Sequence, residues 1–179
     1  AVLSAGITLT GGVDGSKASQ PNTDISVKNN VIYEPYEYGI YAFDRGLTTT
    51  SNGSTGIVIE GNSIIRAGQL PLATRMGVRG IHSQFPNVSK IHKNIIKSVL
   101  GEGIRVFGNA DIFGNEIDGA SDFCIHIPTD TIFSNTQLDA PISRNICKNS
   151  SRSGLLVSGR SIVNVSDHTS ELCGIDGVP

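Results

Sequence analysis

Four stretches of the chain repeat one order of polar and apolar positions: Asn62-Ser-Ile-Ile-Arg-Ala, Asn94-Ile-Ile-Lys-Ser, Asn115-Glu-Ile-Asp-Gly-Ala and Asn145-Ile-Cys-Lys-Asn-Ser. After a variable loop each is followed by a Gly-Ile type segment, so the repeating unit has two parts. Val88 to Ile96 leads into Gly103 to Gly108, and the same pair recurs as Ala110 to Ile117 with Cys124 to Ile127, and as Ile142 to Cys147 with Gly154 to Gly159. Further copies are Ile25 to Ile32 with Gly39 to Phe43, Gly56 to Ile65 with Gly77 to Ser83, and Ser161 to Val165 with Gly174 to Val178. The Asn positions are 32 apart from Asn30 to Asn62 and from Asn62 to Asn94, 21 apart to Asn115 and 30 apart to Asn145. A unit of about 20 residues with insertions of about ten explains these spacings. Such a unit cannot bury its own apolar face and must stack on its neighbours.

A leucine-rich repeat has a similar period, and composition separates the two. The chain has 22 Ile and 13 Val against 10 Leu, with Gly or Asn at nearly every junction. β-branched side chains suit the pleated state and lose freedom in helices. Every element is therefore predicted to be a short strand, and the fold an all-β parallel solenoid of roughly six to seven coils of about 20 residues. The Asn column fits sharp turns between sheets, where Asn tolerates left-handed φ. Stacked side chains of Asn30, Asn62, Asn94, Asn115, Asn145 and Asn164 are expected to hydrogen-bond as a ladder.

With its Asn-x-Ile followed by Gly-Ile-x-Val, the chain resembles the right-handed parallel β-helix of the pectate-lyase-like superfamily, over roughly residues 24 to 178. That superfamily includes pectate lyases, alginate epimerases and lyases, and phage tailspikes. The resemblance implies a carbohydrate polymer as partner. The Gly-Asp-Gly-x-x-Asp-Asp start of many tailspike and polygalacturonase-like chains is absent, as is the Asp-Pro-His triplet of alginate epimerases. The expected organisation is an N-terminal segment or incomplete first coil over 1–23 and a β-helix domain over 24–179, with the whole a fragment of a longer chain.

Composition narrows the function classes. A net charge of −2 with 14 basic residues argues against a nucleic-acid or anionic-membrane surface. No apolar run approaches the ~20 residues that span a bilayer. Three cysteines without a Cys-x-x-Cys give no metal or redox signal, and Cys147, in the place of Ile96 and Ile117, reads as a small core residue. Cys124 and Cys173 lie beside strand positions, and no disulfide framework is expected. Asn-x-Ser/Thr matches at Asn52, Asn87, Asn149 and Asn164 are at chance level for so Asn- and Ser-rich a chain.

Function has to come from outward columns, because inward residues are committed to packing. Aligning the strands on Ile40, Ile57, Ile81, Ile104, Ile125, Leu155 and Ile175 places the next residue on the opposite face. That face reads Tyr41, Val58, His82, Arg105, His126, Leu156, Asp176, and two positions on Phe43, Glu60, Gln84, Phe107, Pro128, Ser158, Val178. His82, Arg105 and His126 form an exposed line in this reading, with Glu60 beside it as the fourth candidate catalytic group. An Arg neutralising a uronate beside a proton-moving His suits a lyase or epimerase; a hydrolase needs two carboxylates, and none pairs in register on this face. Tyr41, Phe43, Gln84, Phe107, Tyr36 and Arg79 are the candidate sugar contacts, by stacking and charge. The alternative is a solvated polar column on a non-catalytic adhesin or shaft.

The turn Tyr33 to Tyr38 has the composition of a sugar rim, and insertions at 44–54, 68–79 and 130–139 are the candidate groove walls, with Asp130 and Asp139 as turn formers. Among superfamily members, reduced-looking cysteines and uncapped ends favour a tailspike-type receptor-binding protein, homotrimeric, on a virion tail or otherwise extracellular. A secreted lyase or C5-epimerase is the alternative. No cofactor and no metal is expected.

Overall fold

The computed structural model describes residues 5–12, 23–45, 54–69, 77–128, 141–158 and 164–174. Among these there is no helix, and all strand pairs are parallel. The strands fall into three vertical stacks. The first holds β1 (Ala5–Gly12), β4 (Tyr38–Arg45), the first half of β7 (Arg79–His92), the first half of β9 (Glu102–Phe113), β11 (Ile125–Ile127) and β14 (Leu155–Val157). The second holds β2 (Ser26–Lys28), β5 (Val58–Glu60), the second halves of β7 and β9, β12 (Ile142–Ser143) and β15 (Val165–Ser166). The third holds β3 (Val31–Tyr33), β6 (Ser63–Ile65), β8 (Ile95–Val99), β10 (Glu116–Ala120), β13 (Ile146–Lys148) and β16 (Thr169–Glu171). An all-parallel sheet that curls through consecutive strands in this order is compatible with a parallel β-helix.

The core is a set of aliphatic columns. Ile32, Ile64, Ile96, Ile117 and Cys147 stack on one wall, and Ile40, Ile81, Ile104 and Ile125 on another. Ile64, Ile96, Ile117, Ile40, Ile81, Ile104 and Ile125 are all fully buried. Where the two walls meet, the column Gly39, Gly80, Gly103 lets them approach. A Cβ on Gly80 would lie 2.7 Å from Ile96 Cγ2, and one on Gly103 2.6 Å from Ile117 Cγ2. No side chain fits there without moving backbone or a packed isoleucine.

The Asn ladder forms through five members. Nδ2 of Asn30 donates to Asn62 Oδ1 (2.9 Å), Asn62 to Asn94 (3.0 Å), Asn94 to Asn115 (2.9 Å) and Asn115 to Asn145 (2.9 Å). Each acceptor also takes the backbone N–H of the preceding member. Two expectations need correction. The left-handed residue is the one before each ladder Asn, at Asn29, Gly61, Lys93, Gly114 and Arg144, so the asparagines are selected for their hydrogen bonds rather than for their φ. Asn164 is not a member: it is exposed, and the register puts His168 at the sixth level, because Thr169 pairs with Ile146.

The cysteines also depart from expectation. Cys124 and Cys147 are joined by a disulfide, and Cys124 is a buried core residue. The pairing was invisible because the partners lie in consecutive coils at positions otherwise held by Gly and Ile. Of the expected loop walls, residues 46–53, 70–76 and 129–140 lie outside the described residues, as do Ile175, Asp176 and Val178.

Candidate functional site

The outward side of the first stack is built by register. Tyr41 pairs with His82, His82 with Arg105 and Arg105 with His126, so these four side chains form one column. One step along, Phe43, Gln84 and Phe107 form a second column. On the other flank Tyr38, Arg79 and Glu102 form a third. Period-two alternation turns the first two columns away from the isoleucine core. Tyr38, Arg79 and Glu102 share the parity of Ile40, Ile81 and Ile104, so alternation does not account for the third column, whose outward placement shows in the contacts of Glu102 with Arg105 and His126.

The column is not an exposed line. His82 is only 5% accessible, with Tyr41 at 4.9 Å, Phe107 at 5.6 Å and Tyr38 at 5.8 Å between ring centroids. Neither ring nitrogen finds a hydrogen bond of good geometry. Burial, followed by the charge of Arg79, pushes its pKa down to about 3, and Arg105 adds to the effect. His82 is therefore a neutral ring packed among aromatics at neutral pH. Its neighbours are large enough to cover it, which spacing alone does not reveal.

Glu102 occupies the centre of the site. Its carboxylate takes hydrogen bonds from Arg79 Nε at 2.8 Å and Arg105 Nη1 at 3.0 Å, and lies in contact with His126 Nδ1. Burial would raise its pKa, but the bonds from His126 and Arg79 and the charge of Arg105 outweigh burial and bring it down to about 2. Glu102 opens β9 and pairs with Arg79, which brings one carboxylate, not a pair, into register on this face.

Around this ion cluster lies a cleft of about 390 Å³, lined by Gly77, Val78, Arg79, Gly101, Glu102, Arg105, Asp122 and Arg152. Arg152 Nε is 3.3 Å from Asp122 Oδ1 and stacks over Phe123 at 5.4 Å, while Arg105 stacks over Phe107 at 4.8 Å. Burial raises the Asp122 pKa, against the opposing charge of Arg152. Three guanidiniums against two carboxylates leave the cleft with a net positive charge and an aromatic margin. Arg152 and Phe123 went unrecognised in the sequence, since each precedes a strand and the alignment on Ile does not reach them, while Tyr38, read as part of the rim turn, opens β4.

Glu60 does not join this site. Its strand β5 belongs to the second stack, where Glu60 pairs with Lys28 and His92 in register. Lys28 Nζ lies 3.1 Å from it and holds its pKa below the usual carboxylate range. Gly56-Ile57 imitates the Gly-Ile signature but starts the other half of the unit. Tyr36, half-buried in the turn before β4, makes none of the ring contacts found among the described residues.

No curated protein and no solved structure matches the chain. One family model does, over residues 4–143, which is most of the chain and includes the Tyr41, His82, Arg105 and His126 column. That family is of parallel β-helix type, in agreement with the parallel stacks. The chain belongs to the family described as "Protein of unknown function (DUF1565)".

Proposed function

We propose that the chain is a right-handed parallel β-helix of six coils that binds an acidic polysaccharide across the first stack, with a sugar carboxylate in the cleft between Arg79, Arg105 and Arg152. The observation that carries this reading is the pairing of that positive cleft with the aromatic margin of Tyr41, Phe43, Phe107 and Phe123. Guanidiniums recognise carboxylates in two-pronged geometry, and aromatic faces suit the apolar side of a pyranose. Arg152 is the most available cation, since its side chain is 66% exposed.

Binding is favoured over catalysis by the state of the bases. His82 is buried and neutral, and Glu102 is committed to three partners. A second reading, β-elimination from a uronate, rests on one observation: Glu102 orients His126 through Nδ1, which leaves Nε2 to take a proton. Both readings suit a tailspike-type receptor-binding protein or a secreted polysaccharide lyase. The disulfide fits an extracellular site better than a reducing compartment. Assembly as a homotrimer would cover the third stack, whose outer side exposes Val31, Tyr33, Ile95 and Ile146.

The test is affinity electrophoresis of the purified chain against alginate, polygalacturonate and acidic bacterial capsules, with dextran as neutral control. Retardation by acidic polymers alone, weakened in Arg152→Ala at unchanged Tm, is expected. Equal retardation by dextran, or none at all, sinks the reading. Absorbance at 235 nm during the same incubations, lost in His126→Ala, would select elimination.

A further inference from the structure

The cysteines lie apart from the arginine cleft, and ligand binding there makes no use of them. Register places Cys124 in the column otherwise held by Gly6, Gly39, Gly80, Gly103 and Gly154. It places Cys147 in the column of Ile32, Ile64, Ile96 and Ile117. These columns face each other, and glycine is needed in the first because a Cβ would strike the isoleucine opposite. At one level only among the described residues, the glycine becomes larger and the isoleucine smaller together, and the two replacements are bonded. One coil further, Cys173 is half-buried, with its Sγ 3.0 Å from Cys147 Sγ. The three sulfurs all lie within 4.8 Å of one another.

We infer that Cys124, Cys147 and Cys173 form a thiol–disulfide exchange site in which Cys147 is the shared sulfur. The Cys173 thiolate attacks Cys147 Sγ; a Cys147–Cys173 bond forms as the Cys124–Cys147 bond breaks. The electron pair leaves on Cys124 Sγ, which takes up the proton that Cys173 gave up. One disulfide and one thiol exist before and after, so no external oxidant or reductant enters this step. Cys124 and Cys147 are both wholly buried, whereas Cys173 is partly accessible. A solvent thiol or a thiol-bearing reductase therefore meets the disulfide once exchange has moved it to Cys173, and the partner class is a thiol.

The test uses the full chain, acidified to stop exchange and unfolded in excess maleimide before its linked peptides are mapped. Both Cys124–Cys147 and Cys147–Cys173 linkages are expected in the wild type, and Cys124→Ser is expected to hold Cys147–Cys173. Native reduction of Cys173→Ser by a small thiol should be about tenfold slower than that of the wild type. A single Cys124–Cys147 linkage in the wild type, or reduction of Cys173→Ser at the wild-type rate, overturns the inference. So do three free thiols accompanied by stoichiometric zinc or copper, which would make the cluster a metal site. The wild-type linkage map decides the matter even if a variant does not fold.

Discussion

Glu102 shows how far a single residue can differ from its apparent place. Between two glycines it reads as a loop carboxylate, yet it sits at the first position of β9 and joins Arg79, Arg105 and His126. Replacing Glu102 with Ala leaves two largely covered guanidiniums without their counter-charge. The expected loss is about 3–5 kcal/mol in urea unfolding, more than for Arg152→Ala, whose ion pair is exposed. His82 makes a pH prediction. Its folded pKa of about 3 lies below the ordinary value of 6.5, so between these limits the unfolded chain binds a proton that the folded chain does not. Stability is therefore complete above pH 6.5 and falls with acidification by up to about 1.4 kcal/mol per unit. Glu102, depressed to about 2, adds a further loss only below about pH 4.5. In His82→Phe the upper window should flatten while the lower persists, as read by Tm between pH 8 and pH 3; an unchanged profile would show that His82 is not the group responsible. The column of His82, Arg105 and His126 was legible in the sequence because Gly-Ile marks the register. Its burial was not, because that depends on which rings stack above and below.

At the level of elements, the ladder and the glycine column impose opposite demands. A ladder Asn must be polar inside, and Asn115 makes hydrogen bonds to Asn94, Asn145 and the Ile91 carbonyl. Asn115→Val, which strands these partners in a dry interior, should cost about 3 kcal/mol, against well under half of that for Asn30→Val at the more open end. Gly103 must have no side chain at all. Gly103→Ala should destabilise by about 2 kcal/mol, and pairing it with Ile117→Val should cost less than the sum of the two single changes. Additive behaviour in that double-mutant cycle would mean that the Cys124 carbonyl, also 2.6 Å from the added Cβ, is the real obstacle. These elements were readable because their pattern recurs coil after coil. The exception was Glu60, assigned to the wrong stack by a Gly-Ile pair that occurs in both halves of the unit.

For the whole molecule, the disulfide links consecutive coils across 23 positions of sequence. Complete reduction should lower stability by about 3 kcal/mol through the restored freedom of the unfolded chain. Differential scanning calorimetry with and without a phosphine reductant measures it, and an unchanged Tm would mean that the cross-link does not constrain the unfolded chain. Repeat architectures gain most of their stability from contacts between neighbours, so loss should spread from the coils nearest the bond.

The sequence by itself determined the repeat, its strand character, the inward isoleucines and the Asn ladder through Asn145, because each is a local periodicity imposed by stacking identical units. Only the tertiary structure decided which side chains stay in contact with water and which charges meet. His82 went under aromatic rings, Glu102 gathered Arg105 of its own strand together with Arg79 and His126 of the neighbouring coils, and Cys124 found Cys147 one coil away. Contacts between equivalent positions of successive coils recur and can be read, whereas contacts between unlike positions occur once and leave no pattern, the more so when insertions vary the spacing.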